Sequence, residues 1–486
     1  MHKHIRINGF NISPLVAFLV LLVLAFCYIF SSNNIPSCKD CNLILISIDT
    51  LRADHMGVYG YKKGTTPNID KWARGANIFT NVRTVVPVTF PSFFALMTGH
   101  NPLQADIYNN FGNSYNSRLI IKNSAIDNKY KTLAQTLEQS GYKTSAFVTN
   151  SALDPELDDI NKGFQGFNFF KTDPYAQKKD KKEYTEFIRQ ALPWLDENKN
   201  KKFFLWIHLI GPHAPYVPPV ESICKLNQDL CAVASKLDYY NIEIERESLE
   251  KCQDYPIPSS KLQFFQLLYD SEISFDDKLV GEILKKIDSL KLDKKTIIVF
   301  YGDHGEGFDH NYYFYHSDAL YDSAIKIPFI IKIPGSSGQV NKKLIDNTEI
   351  SNSLLELLSI DNRRVSSNSL FRTAPFKTNS YNDYVFSSNV DASKFSIQNS
   401  VYKYIYSLPQ TCLYNNQVEE LYNLIQDPQE IHNVAKKNPK IVADMKGKLF
   451  IYMKKYGQPK QKSTASAESG EEEKQKIIKI LKSIGY

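Results

Sequence analysis

The feature that most restricts this chain is a repeated unit: a helical pattern leads into a short run of β-branched or aromatic residues that ends near a polar side chain. Asn42 to Ile48 is one such apolar run, and it ends at Asp49. A helical pattern over Tyr130 to Ser140, stopped by Gly141, precedes a strand-like Thr144 to Asn150. Another helical stretch, over 181 to 197, precedes Phe203 to His208, and a third, over Ser260 to Leu290, precedes Thr296 to Tyr301. Apolar strands alternating with helices predict an α/β fold in which a central, largely parallel sheet is flanked by helices. Functional side chains in such sheets collect at the carboxyl ends of the strands. Asp49, His208 and Asp303, far apart in sequence, are therefore expected on one rim.

At 486 residues the chain is long enough for about three units. Hydrophobic residues make up 43%, which supplies a large core and excludes wholesale disorder. The 58 basic and 52 acidic residues leave a net charge of only +6, too balanced for a dedicated nucleic-acid binder. Residues 15–30 (LVAFLVLLVLAFCYIF) are uninterruptedly apolar and follow His2, Lys3, His4 and Arg6. That charge placement predicts a cytoplasmic segment over 1–11, a transmembrane signal-anchor over 12–30 and a linker over 31–41. The expected product is a membrane-anchored, single-pass protein whose body lies on the periplasmic or extracellular side. A cleaved signal, with Ser31 or Ser32 at the cut, is the alternative.

On that topology Cys38, Cys41, Cys224, Cys231, Cys252 and Cys412 lie in an oxidising compartment, where up to three disulfides can form. Cys38 and Cys41 have no helical context and no second pair at metal spacing, so they read as a structural disulfide or idle thiols. The main body is expected over 42–375, with a surface insertion at 220–260. Aromatic runs such as Tyr402 to Tyr406 suggest a small α+β subdomain with its own sheet over 376–456. Residues 457–470 form a polar linker, and 471–486 an amphipathic helix expected to dock on the body.

Eight stretches occur in a telling order: LILISIDTLRADHMGVYGY, TTPNIDKWARGANIFTN, PVTFPSFFALMTGHNP, IHLIGPHAPYVPP, YDSEISFDDKLVGEIL, FYGDHGEGF, HSDALYDSAIKIPFIIKIPG and EELYNLIQDPQEIHNVA. From about residue 42 to 440 the chain resembles the sulfatase family of the alkaline phosphatase superfamily. The resemblance implies an alkaline phosphatase-like fold and metal-dependent hydrolysis of sulfate or phosphate esters. It places Asp49, Asp303 and His304 in a site for a divalent ion, Ca, Mg, Mn or Zn, with Thr89 as a further ligand once ionised. Gly211 stands where two-metal relatives often have Asp, and Ile48 stands beside Asp49 where some have a second carboxylate. One ion is therefore favoured; a second would fall to His213 and His316. Arg52 and Glu306 are expected to orient the ligands by hydrogen bonds.

The resemblance breaks at the nucleophile. Formylglycine sulfatases have Cys or Ser, one residue, Pro, one residue, then Arg; here the stretch is Thr89-Phe90-Pro91-Ser92-Phe93. Oxidising a secondary alcohol gives a ketone, so Thr89 cannot yield the formylglycine aldehyde, and Phe93 replaces the Arg. Thr is a competent nucleophile beside a divalent cation, and it serves so in similar phosphodiesterases, phosphoethanolamine transferases and lipoteichoic-acid synthases. A helix cap is the alternative role for Thr89, and Ser92 is a neighbouring candidate. His213 and His316 resemble the family's oxyanion and leaving-group histidines. Asn110, or its neighbour Asn109, is expected as an oxyanion donor, and His208 as a further substrate contact. The expected substrate is sulfated or phosphorylated material of the envelope or exterior, selected by loops at 105–130 and 220–260. Group transfer to an envelope lipid or glycan, and an inactive polyanion-binding protein, remain as alternatives.

Overall fold

Every side chain of β1 (Asn42–Ile48) is buried, Leu43 and Leu45 on one face and Ile44, Ile46 and Ile48 on the other. A strand apolar on both faces must lie inside a sheet covered by two helical layers. The computed structural model describes residues 5–7, 10–12, 37–105, 129–155, 159–170, 181–249, 251–252, 256–360, 370–371, 383–390, 392–408 and 418–456. β1 is joined in one sheet by β2 (Asn77–Arg83), β3 (Lys143–Val148), β4 (Gly166–Phe169), β5 (Phe203–Leu209), β6 (Thr296–Gly302), β7 (Lys326–Lys332), β8 (Val340–Asn341) and β9 (Ile345–Asp346). Their order is β8-β2-β7-β6-β1-β5-β3-β4, with β9 also on β2. The half from β6 to β4 is parallel throughout, whereas β7 runs antiparallel to both β6 and β2. The expected largely parallel α/β sheet is thus present.

The helical layers come from α1 (Pro67–Trp72), α2 (Thr89–Thr98), α3 (Leu133–Gln139), α4 (Lys181–Asn198), α5 (Ser259–Ser289) and α6 (Glu349–Leu357). Ile44, Ile46 and Ile48 pack in one core with Phe187 and Leu195 of α4 and Leu268 and Ile283 of α5. Leu43 and Leu45 pack in the other with Phe93 and Leu96 of α2, Leu137 of α3 and Leu354 of α6. A capping box starts α3: Thr132 accepts from the Gln135 amide, and the Gln135 side chain accepts from that of Thr132. The register sets Ile48 opposite both Leu209 and Gly302, and Val148 opposite His208. Four strands therefore end at one level, and the residues that follow them share a rim.

A second, antiparallel sheet of β10 (Val385–Ser388), β11 (Lys394–Gln398), β12 (Tyr402–Ser407) and β13 (Glu419–Asn423) is covered by α7 (Pro439–Tyr456). Leu449, Phe450 and Met453 of α7 pack on Phe395, Ile397 and Tyr404. Among the described residues of 220–258 are the short helices Val220–Leu226, Gln228–Ala234 and Tyr239–Leu249, the first two tied by a Cys224–Cys231 disulfide. A second disulfide joins Cys38 and Cys41. Cys412, the linker at 457–470 and the helix expected at 471–486 lie outside the described residues.

The membrane-anchored, single-pass expectation needs correction. No helix among the described residues is long and apolar enough to cross a membrane. At the start of the expected span, Phe10–Ile12 forms an antiparallel strand pair with Ile5–Ile7, and residues 13–36 lie outside the described residues.

A buried charge network clamps the second sheet to the first. Arg83, at the end of β2, meets Asp322 at 2.8 Å, Asp322 meets Lys403 of β12 at 2.5 Å, and Lys403 meets Glu430 at 2.7 Å. The Lys403 side chain is fully buried. Burial opposes ionisation of Asp322, but Arg83 and Lys403 overcome it and hold its carboxyl well below the usual carboxylate range. Removing one partner strands the others in a medium that cannot solvate them. Asp322→Asn is expected to cost about 3 kcal/mol in urea unfolding at neutral pH. A carboxyl with a depressed folded pKa contributes fully above its unfolded value near 4 and loses that contribution as pH falls towards the folded value. The gap between wild type and variant should therefore narrow progressively as pH falls below about 5.

Candidate active site

Asp49 and Thr50 follow β1, Asp303 and His304 follow β6, Asn150 follows β3, and Thr89 opens α2. The residue capping α2 is Val88, which makes no side-chain cap bond; Thr89 is the first helical residue and its hydroxyl turns to the rim. Thr89 Oγ1 lies 3.4 Å from Asp49 Oδ2 and 3.4 Å from His304 Nε2. Ser92, one turn further on, is spent on interior partners instead. Its Oγ donates to the Asp303 carbonyl at 2.8 Å and meets the Tyr301 hydroxyl at 2.8 Å and the Asn347 amide at 3.1 Å, all fully buried. That geometry removes Ser92 as a nucleophile and makes it a strut between α2 and the end of β6.

Ligand atoms of Asp49, Asp303 and His304 lie within 4.8 Å of one another. Among the described residues this is the one such cluster, and all three side chains are fully buried. His304 Nδ1–H donates to the Gly305 carbonyl at 3.0 Å, so in the neutral ring Nε2 offers a lone pair. That lone pair faces Asp49 Oδ1 at 3.5 Å and Asp303 Oδ2 at 3.5 Å. Asp303 Oδ2 has no hydrogen-bond partner. Burial, and then the nearby Asp49, push the Asp303 carboxyl well above the usual range. Three converging lone pairs and an orphaned buried oxygen fit a divalent cation, with a borderline O,O,N donor set.

Asp49 is held differently. Burial opposes its ionisation, but His208, His213 and His304 outweigh it and keep the carboxyl far below the usual range. Thr50 Oγ1 donates to its Oδ1 at 2.7 Å, and the Asn150 amide donates to its Oδ2. Asn150 also lies 3.5 Å from Thr89 Oγ1. It is the functional residue that the sequence reading missed, although its place at the carboxyl end of a predicted strand was a usable signal. Asn109 and Asn110, expected near this position, lie outside the described residues.

His316 stacks on His304 with ring centroids 4.1 Å apart, and His213 lies 5.9 Å from His316. Both fix Nδ1–H on a backbone carbonyl, His316 on Pro87 at 2.7 Å and His213 on Ala214 at 2.6 Å. Their rings are half-buried, and neither belongs to the cluster of Asp49, Asp303 and His304. Burial, with His304 and His213 nearby, pushes His316 well below the ordinary imidazole value.

Three expectations are corrected. His208, expected to contact substrate, is fully buried beneath Asp49, with Nε2 3.6 Å from Asp49 Oδ2 and its ring edge-on to Phe93. Arg52, expected to orient the ligands, pairs with Asp54 at 2.8 Å and donates to the Glu306 carbonyl at 3.0 Å. Glu306 accepts from Tyr216 at 2.9 Å and from the Gly307 amide at 3.0 Å, and burial pushes its carboxyl up to about 7. Both brace the loop carrying His304 and touch no ligand carboxylate. Gly305 in that loop is obligatory, since a Cβ there would stand 1.9 Å from the Ser323 carbonyl oxygen.

The family described as "Sulfatase" matches residues 41–360, and the one described as "N-sulphoglucosamine sulphohydrolase, C-terminal" matches residues 309–455. The ulvan-active sulfatase of Formosa agariphila is 24% identical over 350 residues, covering 66% of this chain; the chain spans 62% of that protein's length. The arylsulfatase of Clostridium perfringens is 22% identical over 450 residues, covering 81% of this chain and 90% of that protein. The crystal structure of the phosphonate monoester hydrolase of Agrobacterium radiobacter aligns with a TM-score of 0.63 at 17% identity, covering 86% of this chain and 96% of that one, and so shares its fold.

The two hydroxyls on α2 should separate on mutation. Ser92→Ala leaves buried donors unpaired and is expected to cost about 1–3 kcal/mol in denaturant unfolding. Thr89→Ala removes only contacts of 3.4 Å or longer and should cost under about 1 kcal/mol.

Proposed function

This chain belongs to the sulfatase family, and on that premise we propose that it is a metal-dependent hydrolase of sulfate esters whose covalent nucleophile is Thr89. The observation that carries the reading is the position of Thr89 Oγ1, 3.4 Å from both Asp49 Oδ2 and His304 Nε2 at the amino end of α2. Asp49, Asp303 and His304 would hold the cation; when bound, it supplies positive charge that favours ionisation of a neighbouring hydroxyl and neutralises oxygens of a tetrahedral ester. The amino end of α2 adds partial positive charge at the same place.

In this reading the proton of Thr89 Oγ1 passes to an imidazole on the rim as Oγ1 bonds to the central atom of the ester. The bond to the leaving oxygen breaks, and that oxygen takes a proton from an imidazole on the rim. His316 and His213 suit this shuttle, since Nδ1–H is committed to a carbonyl in each and the Nε2 lone pair remains to take up a proton and hand it on. The Asn150 amide, beside Thr89, is placed to donate to charge that develops on a non-bridging oxygen. Water then displaces Thr89 and releases the free anion. Phosphate esters are the second reading. Thr89 serves it equally, because an ionised hydroxyl attacks phosphorus as it does sulfur, with no prior oxidation to formylglycine.

Nitrophenyl sulfate, nitrophenyl phosphate and a nitrophenyl phosphodiester, offered with divalent metals, test both readings. Turnover is expected to vanish on chelation and to fall about a thousandfold or more in Thr89→Ala. The ratio of sulfate to phosphate turnover decides between the two substrates. Activity that survives in Thr89→Ala would overturn the nucleophile assignment. A folded, metal-loaded protein silent on all three esters would overturn the hydrolase reading and leave group transfer or polyanion binding.

A further inference from the structure

His208 is a fully buried imidazole under the rim, and its Nε2 has no hydrogen-bond partner. Asp49 Oδ2 lies 3.6 Å from it. An unpaired ring nitrogen at full burial is costly, so its protonation pattern must be set by something. Its other nitrogen, Nδ1, lies 2.9 Å from Ser47 Oγ, and the same Oγ receives the indole N–H of Trp206 at 2.9 Å. Ser47 and His208 are cross-strand partners on β1 and β5, and Trp206 is two residues back on the same face of β5.

The directions in this chain can be worked out. Trp Nε1 can only donate, so Ser47 Oγ accepts from it and must spend its own single proton elsewhere. Two acceptors are within reach: His208 Nδ1 at 2.9 Å and the Ile207 carbonyl at 3.5 Å. The shorter contact makes Nδ1 an acceptor and puts the ring proton on Nε2. If Ser47 instead turns to Ile207, Nδ1–H donates to Oγ. Nε2 must then either carry a second proton or present a lone pair to the Asp49 carboxylate in a dry interior. The lone-pair state is repulsive, so each surviving arrangement has a proton on Nε2 aimed at Asp49. This is the reverse of His304, whose Nδ1–H is spent on Gly305 and whose Nε2 lone pair faces the same carboxylate.

We propose that His208 is a positioning residue for Asp49: Trp206 and Ser47 fix it with its proton on Nε2, and from the face of the sheet covered by α2 it holds Oδ2 of the carboxylate that, with Asp303 and His304, binds the cation. Phe93, edge-on to the ring at 5.0 Å, and Trp206, at 5.9 Å, keep the imidazole plane in place. The inference deepens the functional reading and rests on Asp49 being a ligand.

The test is Mn2+ titration calorimetry on the full chain, wild type against His208→Ala, His208→Gln and Ser47→Ala, with circular dichroism to verify folding. Loss of a group that orients a ligand typically weakens metal binding about 10–100-fold, and that loss is expected for His208→Ala. His208→Gln keeps an N–H donor at the end of the side chain and should recover most of the affinity. Ser47→Ala should fall between them. Unchanged Mn2+ affinity in a folded His208→Ala, or a loss that Gln does not repair, would overturn the positioning role. Wild-type protein that binds no Mn2+ would instead overturn the cation reading of Asp49, Asp303 and His304. A readout without mutation is the 15N spectrum of the histidine rings in wild-type protein. It is expected to place a proton on His208 Nε2; a bare Nε2 would overturn the proposal however the variants fold.

Discussion

The constraint on which the rest of this structure depends is the burial of two carboxylates, Asp49 and Asp303, side by side at the ends of adjacent parallel strands. Taking acids out of water is expensive unless donors or a cation replace the lost hydration. Asp303 Oδ1 receives two backbone amides, Thr50 N at 3.0 Å and His304 N at 2.9 Å, while Oδ2 receives none. Thr50 is the pivot of this arrangement. Its φ is +57°, a region that a β-branched residue enters at a cost of about 1–3 kcal/mol. It is kept there because each of its polar groups is engaged: N on Asp303, Oγ1 on Asp49, and the carbonyl on the Tyr269 hydroxyl at 2.7 Å. Local strain at one threonine orients both acids.

The second sheet belongs to the same logic. All ten residues of α2 are buried, because Phe93 and Leu96 face the core of the large sheet while Ala95 faces the core shared with β11, β12 and α7. The second sheet also holds the loop carrying His316: Val390 N donates to the Ser317 carbonyl at 3.2 Å and the Asn389 amide to Asp318 at 2.9 Å. The position of a rim imidazole is thus set from a part of the chain about seventy residues later. Arg83, Asp322 and Lys403 carry the same connection through ion pairs.

Much of this was legible in the sequence. Apolar runs marked β1, β3, β5 and β6 to within two residues at each end, and their carboxyl ends located Asp49 and Asp303. β2 and β7 escaped notice, since Asn77–Arg83 mixes polar and apolar residues and Lys326–Lys332 has a Pro at its third position. His208 was misjudged because strand-end position says nothing about which way a side chain points. Alternation along β5 held the answer: Phe204, Trp206 and His208 share a parity, and the first two are core residues. Arg52 was expected to orient the ligands by hydrogen bonds, whereas its guanidinium is spent on Asp54, two residues away, and on the Glu306 carbonyl. Hydropathy alone also overstated the membrane span, for which no helix among the described residues is both long and apolar enough.

The changes at the nucleophile helix form one argument. Formylglycine chemistry needs a primary alcohol or thiol to oxidise and an Arg one helical turn on to support the product. Replacing only the first would leave a guanidinium buried without its partner, at the cost of an uncompensated charge. Here both are replaced: Thr89 cannot give the aldehyde, and Phe93 fills the Arg position with a ring packed on Trp206 at 4.8 Å and on Tyr301 at 5.8 Å. The space is apolar and closed, with no demand for a cation. Next to it stands an imidazole, His208, whose neighbours dictate where its proton sits. A helix that had only lost an old chemistry would not need to keep a hydroxyl 3.4 Å from two of the cluster's ligand atoms. The pairing of Thr89 with Phe93, beside an intact rim, is the observation behind the hydroxyl-based route proposed for this chain.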